Sequence, residues 1–276
     1  MADLYLGKIP VIYRSLNEGF IRGTPDHEPA TGCLERDFSV DPVLMGDSPD
    51  GMAVIPSSEW DARHDEQIAN KSGLLHLYLG PDLNAPAFQF LDQNGFPDCW
   101  AHSTGHALMF DYLRQGLPVP RLNAVAVATL MRQTNGGWCG LSMKFARESG
   151  YPVAGDGPGQ WPYQSRRGQD TPELRAAMAR HKALSGWYDL GKQAYDQTLT
   201  EGQLATCGFE NWPAPSDYNR FGHSMLTIGH ARIEAGHWGR LTLNSWQGFG
   251  HHGLCVLAGM VPDNAVALTA ATPTTN

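Results

Sequence analysis

The hydrophobic pattern of this chain changes period near residue 184, and that change limits the folds open to it. Over 99–115 the apolar residues Trp100, Ala107, Leu108, Tyr112 and Leu113 recur at helical spacing, and Gly116 with Pro118 stops the run. Further helices are predicted over 122–132 and 141–149, the second closed by Gly150 and Pro152. Beyond 184 the apolar residues fall into short β-like runs at 186–190, 205–209, 223–228, 240–243 and 254–257, separated by Gly, Pro and Asn. A helical half followed by a strand half predicts an α+β fold with a helical lobe over about 85–184, an antiparallel β lobe over about 185–265, and a cleft between them.

Residues 1–84 have a different texture. Pro10, Pro25, Pro29, Pro42, Pro49, Pro56 and Pro81 allow only short elements there. One helix is predicted over 59–71, started near Ser58 and ended by Gly73. We read 1–84 as an N-terminal arm or accessory region against a main domain at 85–276, whose residues 266–276 form a Thr/Ala/Pro-rich tail. Hydrophobic content of 42% supports a globular chain, and 31 Gly with 19 Pro require many turns.

A formal charge of −8 without a Lys/Arg run offers no electrostatic footprint for nucleic acid or anionic lipid. No apolar run approaches the ~18 residues a membrane helix needs, and the first residues do not read as an export signal. Five cysteines, at 33, 99, 139, 207 and 255, have no paired spacing, so neither a zinc site nor a disulfide framework is predicted. Reduced thiols in a cytoplasm-like compartment are the simpler expectation.

Four residues appear in an order that suits acyl transfer: Gln93, Cys99, His223 and Asn244. Cys99 opens a helix, where the dipole favours a thiolate. His223 would deprotonate the sulfur and later protonate a leaving amine. Asn244 would orient the imidazole, with Trp246 shielding that bond, and Gln93 would join the Cys99 N–H as an oxyanion donor. Asp98 is expected to cap the helix, although its charge beside the thiol opposes a thiolate. His102 and His106 lie i,i+4 on the same helix, but no third ligand is evident, so they are predicted to be satisfied polar groups and no metal or cofactor is expected.

These segments resemble the papain-like cysteine peptidases. The family's Q-G-x-C-G-x-C-W is similar to Gln93-Asn-Gly-Phe-Pro-Asp-Cys99-Trp100, its G-H-A-V to Gly222-His223-Ser224-Met225, and its N-S-W-G block to Asn244-Ser245-Trp246-Gln247. Its N-G-G segment resembles Asn135-Gly136-Gly137-Trp138, and its Y-P-Y resembles Trp161-Pro162-Tyr163. The resemblance implies a two-lobed papain-like endopeptidase acting on a peptide or protein. Gly136 and Gly137 would pair with the substrate backbone, while Trp138, Cys139, Phe221 and Ser224 would line the adjoining pocket. The family's cysteine three residues before the nucleophile is Phe96 here, in keeping with a reducing compartment. Stretches of the arm, such as Gly32-Cys33-Leu34-Glu35-Arg36-Asp37-Phe38, look like those preceding papain-like domains of bacterial viruses. That likeness supports an alternative: a virion or other assembly component that keeps the scaffold and docks partners through 1–84 and the tail.

Overall fold

The computed structural model describes residues 8–13, 56–157, 159–163, 165–183, 185–189, 204–212, 221–234, 237–259 and 262–270. Within them, helix α1 is Trp60–Asn70, α2 Gly73–Leu79, α3 Cys99–Arg114, α4 Ala124–Leu130, α5 Cys139–Glu148 and α6 Pro172–Met178. The strands are β1 Val11–Tyr13, β2 Ser185–Asp189, β3 Leu204–Trp212, β4 Phe221–Glu234, β5 His237–Leu243, β6 Leu254–Ala258 and β7 Asn264–Ala270.

Every residue of α3 from Cys99 to Tyr112 is buried. A helix enclosed on all sides needs small residues where neighbours come close. Gly105 is such a place: a Cβ there would lie 2.7 Å from Leu91 Cδ1 and 2.9 Å from the Tyr151 hydroxyl. That hydroxyl donates to the Ala101 carbonyl at 2.6 Å, so Tyr151 is bonded to the helix it packs against. Around α3 pack α2, α4, α5, β3 and β4. Tyr78, Phe88 and Phe110 close the far end as an aromatic trio with centroids 4.8–5.2 Å apart.

The strands form one sheet in the order β1-β6-β5-β4-β3-β7-β2. All neighbours are antiparallel except β1, which runs parallel to β6 through Val11↔Val256. Two features differ from the sequence expectation. Strand β7 lies between β3 and β2, so residues 266–270, expected in the tail, are paired inside the sheet. Strand β4 continues to Glu234, well beyond the predicted 223–228, with a register shift between Thr227 and Gly229 that interrupts the apolar pattern.

The helices at 99–115, 122–132 and 141–149 are found as α3, α4 and α5 within a few residues. Helix α1 matches the predicted 59–71, but Ser58 sits in a preceding 3-10 turn instead of capping it. Gly73 was expected to end that helix and instead begins α2, after Lys71 has turned the chain at φ 47°. Helix α6 was not anticipated, although Thr171 accepts from the Leu174 N–H and Pro172 occupies the first turn. The accessory helix α1 is fastened to the sheet. Arg232 of β4 reaches Asp61 at 3.2 Å and Asp65 at 2.6 Å, and Trp60 stacks on His230 at 4.4 Å.

Gly150, just past α5, combines a φ of +82° with contact against the end of α6, where a Cβ would overlap the Met178 carbonyl. Gly150→Ala should therefore cost about 2–3 kcal/mol of stability in urea unfolding. A loss below ~0.5 kcal/mol would contradict this packing.

Candidate active site

The predicted residues come from four places in the fold. Gln93 lies in the loop before α3, Cys99 is the first residue of α3, His223 is in β4, and Asn244 follows β5. Cys99, His223 and Asn244 are fully buried, and Gln93 is 1% exposed.

The side-chain oxygen of Asn244 ties most of them together. It accepts the Ser245 backbone N–H at 2.7 Å and meets His223 Nε2 at 2.8 Å. Because a backbone N–H can only donate, the atom it meets is the amide oxygen, and His223 Nε2 must then carry the proton. In the neutral ring Nδ1 thus keeps the lone pair that a base needs. Trp246 lies flat on the imidazole, with centroids 4.1 Å apart and planes 23° apart.

Ser245 continues the chain of contacts to Gln93. Its hydroxyl donates to Gln93 Oε1 at 2.6 Å, and its carbonyl accepts the Gln93 N–H at 2.9 Å. Gln93 Nε2 donates to the Phe96 carbonyl at 2.9 Å, and the carboxamide has a second N–H to offer. Ser245 was not singled out from sequence, though it sits inside the Asn244-Ser245-Trp246 block that was.

A second network surrounds the thiol. Ser224, next after His223, turns its backbone N–H to Cys99 and its hydroxyl to Cys139 Sγ at 2.7 Å. Ser103 Oγ joins Ser224 Oγ at 3.1 Å, and Ser142 Oγ donates to the Trp100 and Cys139 carbonyls at 2.8 and 2.9 Å. Gly137 lies under the Trp100 indole and Gly140 under Trp138, each with no room for a Cβ. Gly136 has φ 130°, and Phe221 opens β4 opposite Trp212. The structure therefore groups His223, Asn244, Trp246 and Gln93 in one network and Cys99, Cys139 and Ser224 in another. The two meet at the His223–Ser224 peptide.

Burial governs the charges. It pushes the Cys99 thiol up, against the Ser224 N–H, and the nearby Cys139 and Asp98 push the same way as burial. Burial also pulls His223 down to about 4, opposed by the Asn244 bond and aided by His102. The closed site thus favours a neutral thiol and a neutral imidazole, and desolvation opposes the thiolate expected from the helix dipole. Asp98 makes no side-chain cap at the start of α3. Instead Asp98 Oδ1 lies 3.3 Å from His102 Nδ1, both residues being fully buried. Among the described residues no group of three or more His, Cys, Asp or Glu is arranged to hold a metal, and Cys99, Cys139 and Cys255 are free thiols. Cys33 lies outside the described residues. No described helix is long and apolar enough to cross a membrane.

No family model matches the sequence, and no curated protein matches it. Solved structures do. Xylellain, a cysteine protease from Xylella fastidiosa, is 13% identical, with a TM-score of 0.55 over 90% of this chain and 100% of that one. Digestive procathepsin L 3 of the Tenebrio molitor larval midgut is 14% identical at a TM-score of 0.49, covering 65% of each chain. This chain therefore spans just under two thirds of that relative. Bromelain from Ananas comosus, solved with the E64 inhibitor, is 14% identical at 0.46, over 65% of this chain and 92% of that one. On the xylellain superposition, the chain has the mixed helix and antiparallel-sheet fold of the papain-like cysteine proteases.

The depressed histidines, His223 and His106 buried and His230 partly so, predict an acid limit to stability. His223 at about 4, His230 at about 3 and His106 well below its ordinary value are all depressed, chiefly by burial. Between about pH 6.5 and 4 the unfolded chain binds more protons than the folded one, so stability falls as pH falls through that window. His102 is raised and acts with the opposite sign, its contribution being lost as pH rises through its folded value. Urea unfolding at pH 7 and pH 5 should show a net loss approaching 1.4 kcal/mol per pH unit for each depressed histidine. His230→Gln should flatten the slope. Equal stability at the two pH values would contradict the assignment.

Proposed function

We propose that this chain is a cysteine endopeptidase that cleaves peptide bonds by acyl transfer through Cys99. The observation that carries this reading is the His223–Asn244 bond at 2.8 Å, which leaves Nδ1 as the basic nitrogen, on the strand whose next N–H reaches the Cys99 sulfur. The papain-like fold supports the same reading.

In this mechanism Nδ1 of His223 takes the thiol proton as sulfur attacks the scissile carbonyl. The transfer starts from two neutral partners, so charge appears only as the bond forms. Gln93 and the Cys99 backbone N–H donate to the oxyanion, and the Ser245 clasp keeps the Gln93 amide from rotating away. His223 then protonates the departing amine, and water attacks the thioester with the same imidazole as base. Asn244 holds the ring plane, and Trp246 keeps water from that bond. Gly136 and Gly137 would meet the substrate backbone, with Trp138, Cys139, Phe221 and Ser224 beside the bound side chain. No metal or cofactor is needed for these steps.

A second reading draws on the burial of Cys99 and on the docking of α1 against β4: an assembly component whose site stays closed. Incubation with a peptide library separates the two. The peptidase reading expects cleavage that Cys99→Ala abolishes and that Gln93→Ala slows in kcat by about 100-fold or more. A peptidyl epoxide should label Cys99 ahead of Cys139 and Cys255. Absence of any Cys99-dependent cleavage or selective labelling favours the closed assembly component.

A further inference from the structure

Asp98 and His102 form the most costly unexplained feature near the site. Asp98 directly precedes Cys99, is fully buried, and has no hydrogen bond of ordinary geometry to either carboxylate oxygen apart from the longer approach of His102. An isolated buried carboxylate is expensive unless an opposite charge stands beside it. His102, one turn along α3, is the group that stands there: its Nδ1 lies 3.0 Å from the Asp98 carbonyl and 3.3 Å from Oδ1. Both neighbours are acceptors, so Nδ1 carries a proton. The Asp92 backbone acts on the ring in the same sense, although Nε2 makes no hydrogen bond of ordinary geometry.

The next histidine on the helix is the control. His106 Nε2 accepts the Leu91 N–H at 2.8 Å, so that ring is neutral. Two histidines four residues apart are thus told apart by their partners. The charged and titratable groups set against His102 are Asp98, Cys99 and His106 on α3, with His223 on β4. Tyr151, which feels the Asp98 charge, is committed to the Ala101 carbonyl.

We propose that His102 is a further member of this site, a positioning residue: fixed against Asp98, its imidazole offsets the carboxylate that the chain places directly before the Cys99 thiol. The inference rests on the reading of Cys99 as nucleophile. Burial alone would pull His102 down, and the charge and hydrogen bonds of Asp98 reverse that. A carboxylate left uncompensated would oppose a thiolate on the next residue. The field of His102 also lowers His223, which favours a neutral ring there until it receives the thiol proton.

The test is the pH profile of iodoacetamide alkylation at Cys99, followed by mass spectrometry on the full chain. His102→Gln should move the midpoint up by about one pH unit and slow alkylation at neutral pH about tenfold. Asp98→Asn combined with His102→Gln should return the rate to within about threefold of wild type, because the two charges leave together. An unmoved profile in a folded His102→Gln, or a double variant as slow as the single one, overturns the proposal. Should His102→Gln not fold, 15N NMR of wild type decides: both ring nitrogens of His102 protonated at pH 7.5 supports the pair, and a neutral ring overturns it. A wild-type Cys99 that reacts no faster than Cys255 at any pH sinks the nucleophile reading and the role of His102 with it. A fast wild-type Cys99 with an unmoved His102→Gln profile sinks this proposal alone.

Discussion

The architecture around the candidate site depends on a two-residue joint, Asn244-Ser245, at the end of β5. Its first residue fixes the proton on His223 and its second grips Gln93 at both the backbone and the side chain. One short segment therefore orients His223 and Gln93, the proposed base and oxyanion donor, at once, and both are held relative to the helix that Cys99 begins. Such a joint works only if the amide oxygen of Asn244 faces the right way, and the Ser245 N–H makes the opposite orientation costly.

The same joint shows how a site can be built in a dry interior. Burial raises the energy of any charge, and here it acts on the thiol and the imidazole together. A chain with only these two groups would rest as a neutral pair and form its ion pair late. In the proposed arrangement His102 compensates the Asp98 carboxylate beside Cys99, so the local field is shaped by a pair whose desolvation cost is offset only by their mutual contact. Where a more open site would rely on water to stabilise developing charge, this one relies on fixed donors and a compensated pair.

Much of this was legible in the sequence. The helices α3, α4 and α5 announced themselves through apolar spacing and the Gly and Pro residues that follow them. Strand positions were legible but not their lengths: β4 loses its apolar alternation at Gly229 and His230, where the register shifts and the strand continues beneath α1. Helix α2 was hidden because Gly73 reads as a terminator, and β7 because its Ala- and Thr-rich residues look like a tail until β3 and β2 flank them. For the site, residue types, order and the Asn244–His223 pairing under Trp246 were legible, while the Ser245 clasp on Gln93 and the Asp98–His102 pairing were not. The spacing of Asp98 and His102 was in plain view, yet a helix-start aspartate suggests a cap and the two histidines read as separately satisfied polar groups. Only the burial of both shows why they turn to each other.

The central claim is that Asn244 holds His223 with its proton on Nε2, so that Nδ1 carries the basic lone pair. Long-range 1H–15N NMR of uniformly labelled protein at neutral pH reads this directly. The account predicts a neutral His223 ring with Nε2 protonated and Nδ1 bare, and loss of that single tautomer in Asn244→Ala. A ring protonated on Nδ1 alone in the wild-type protein would contradict it.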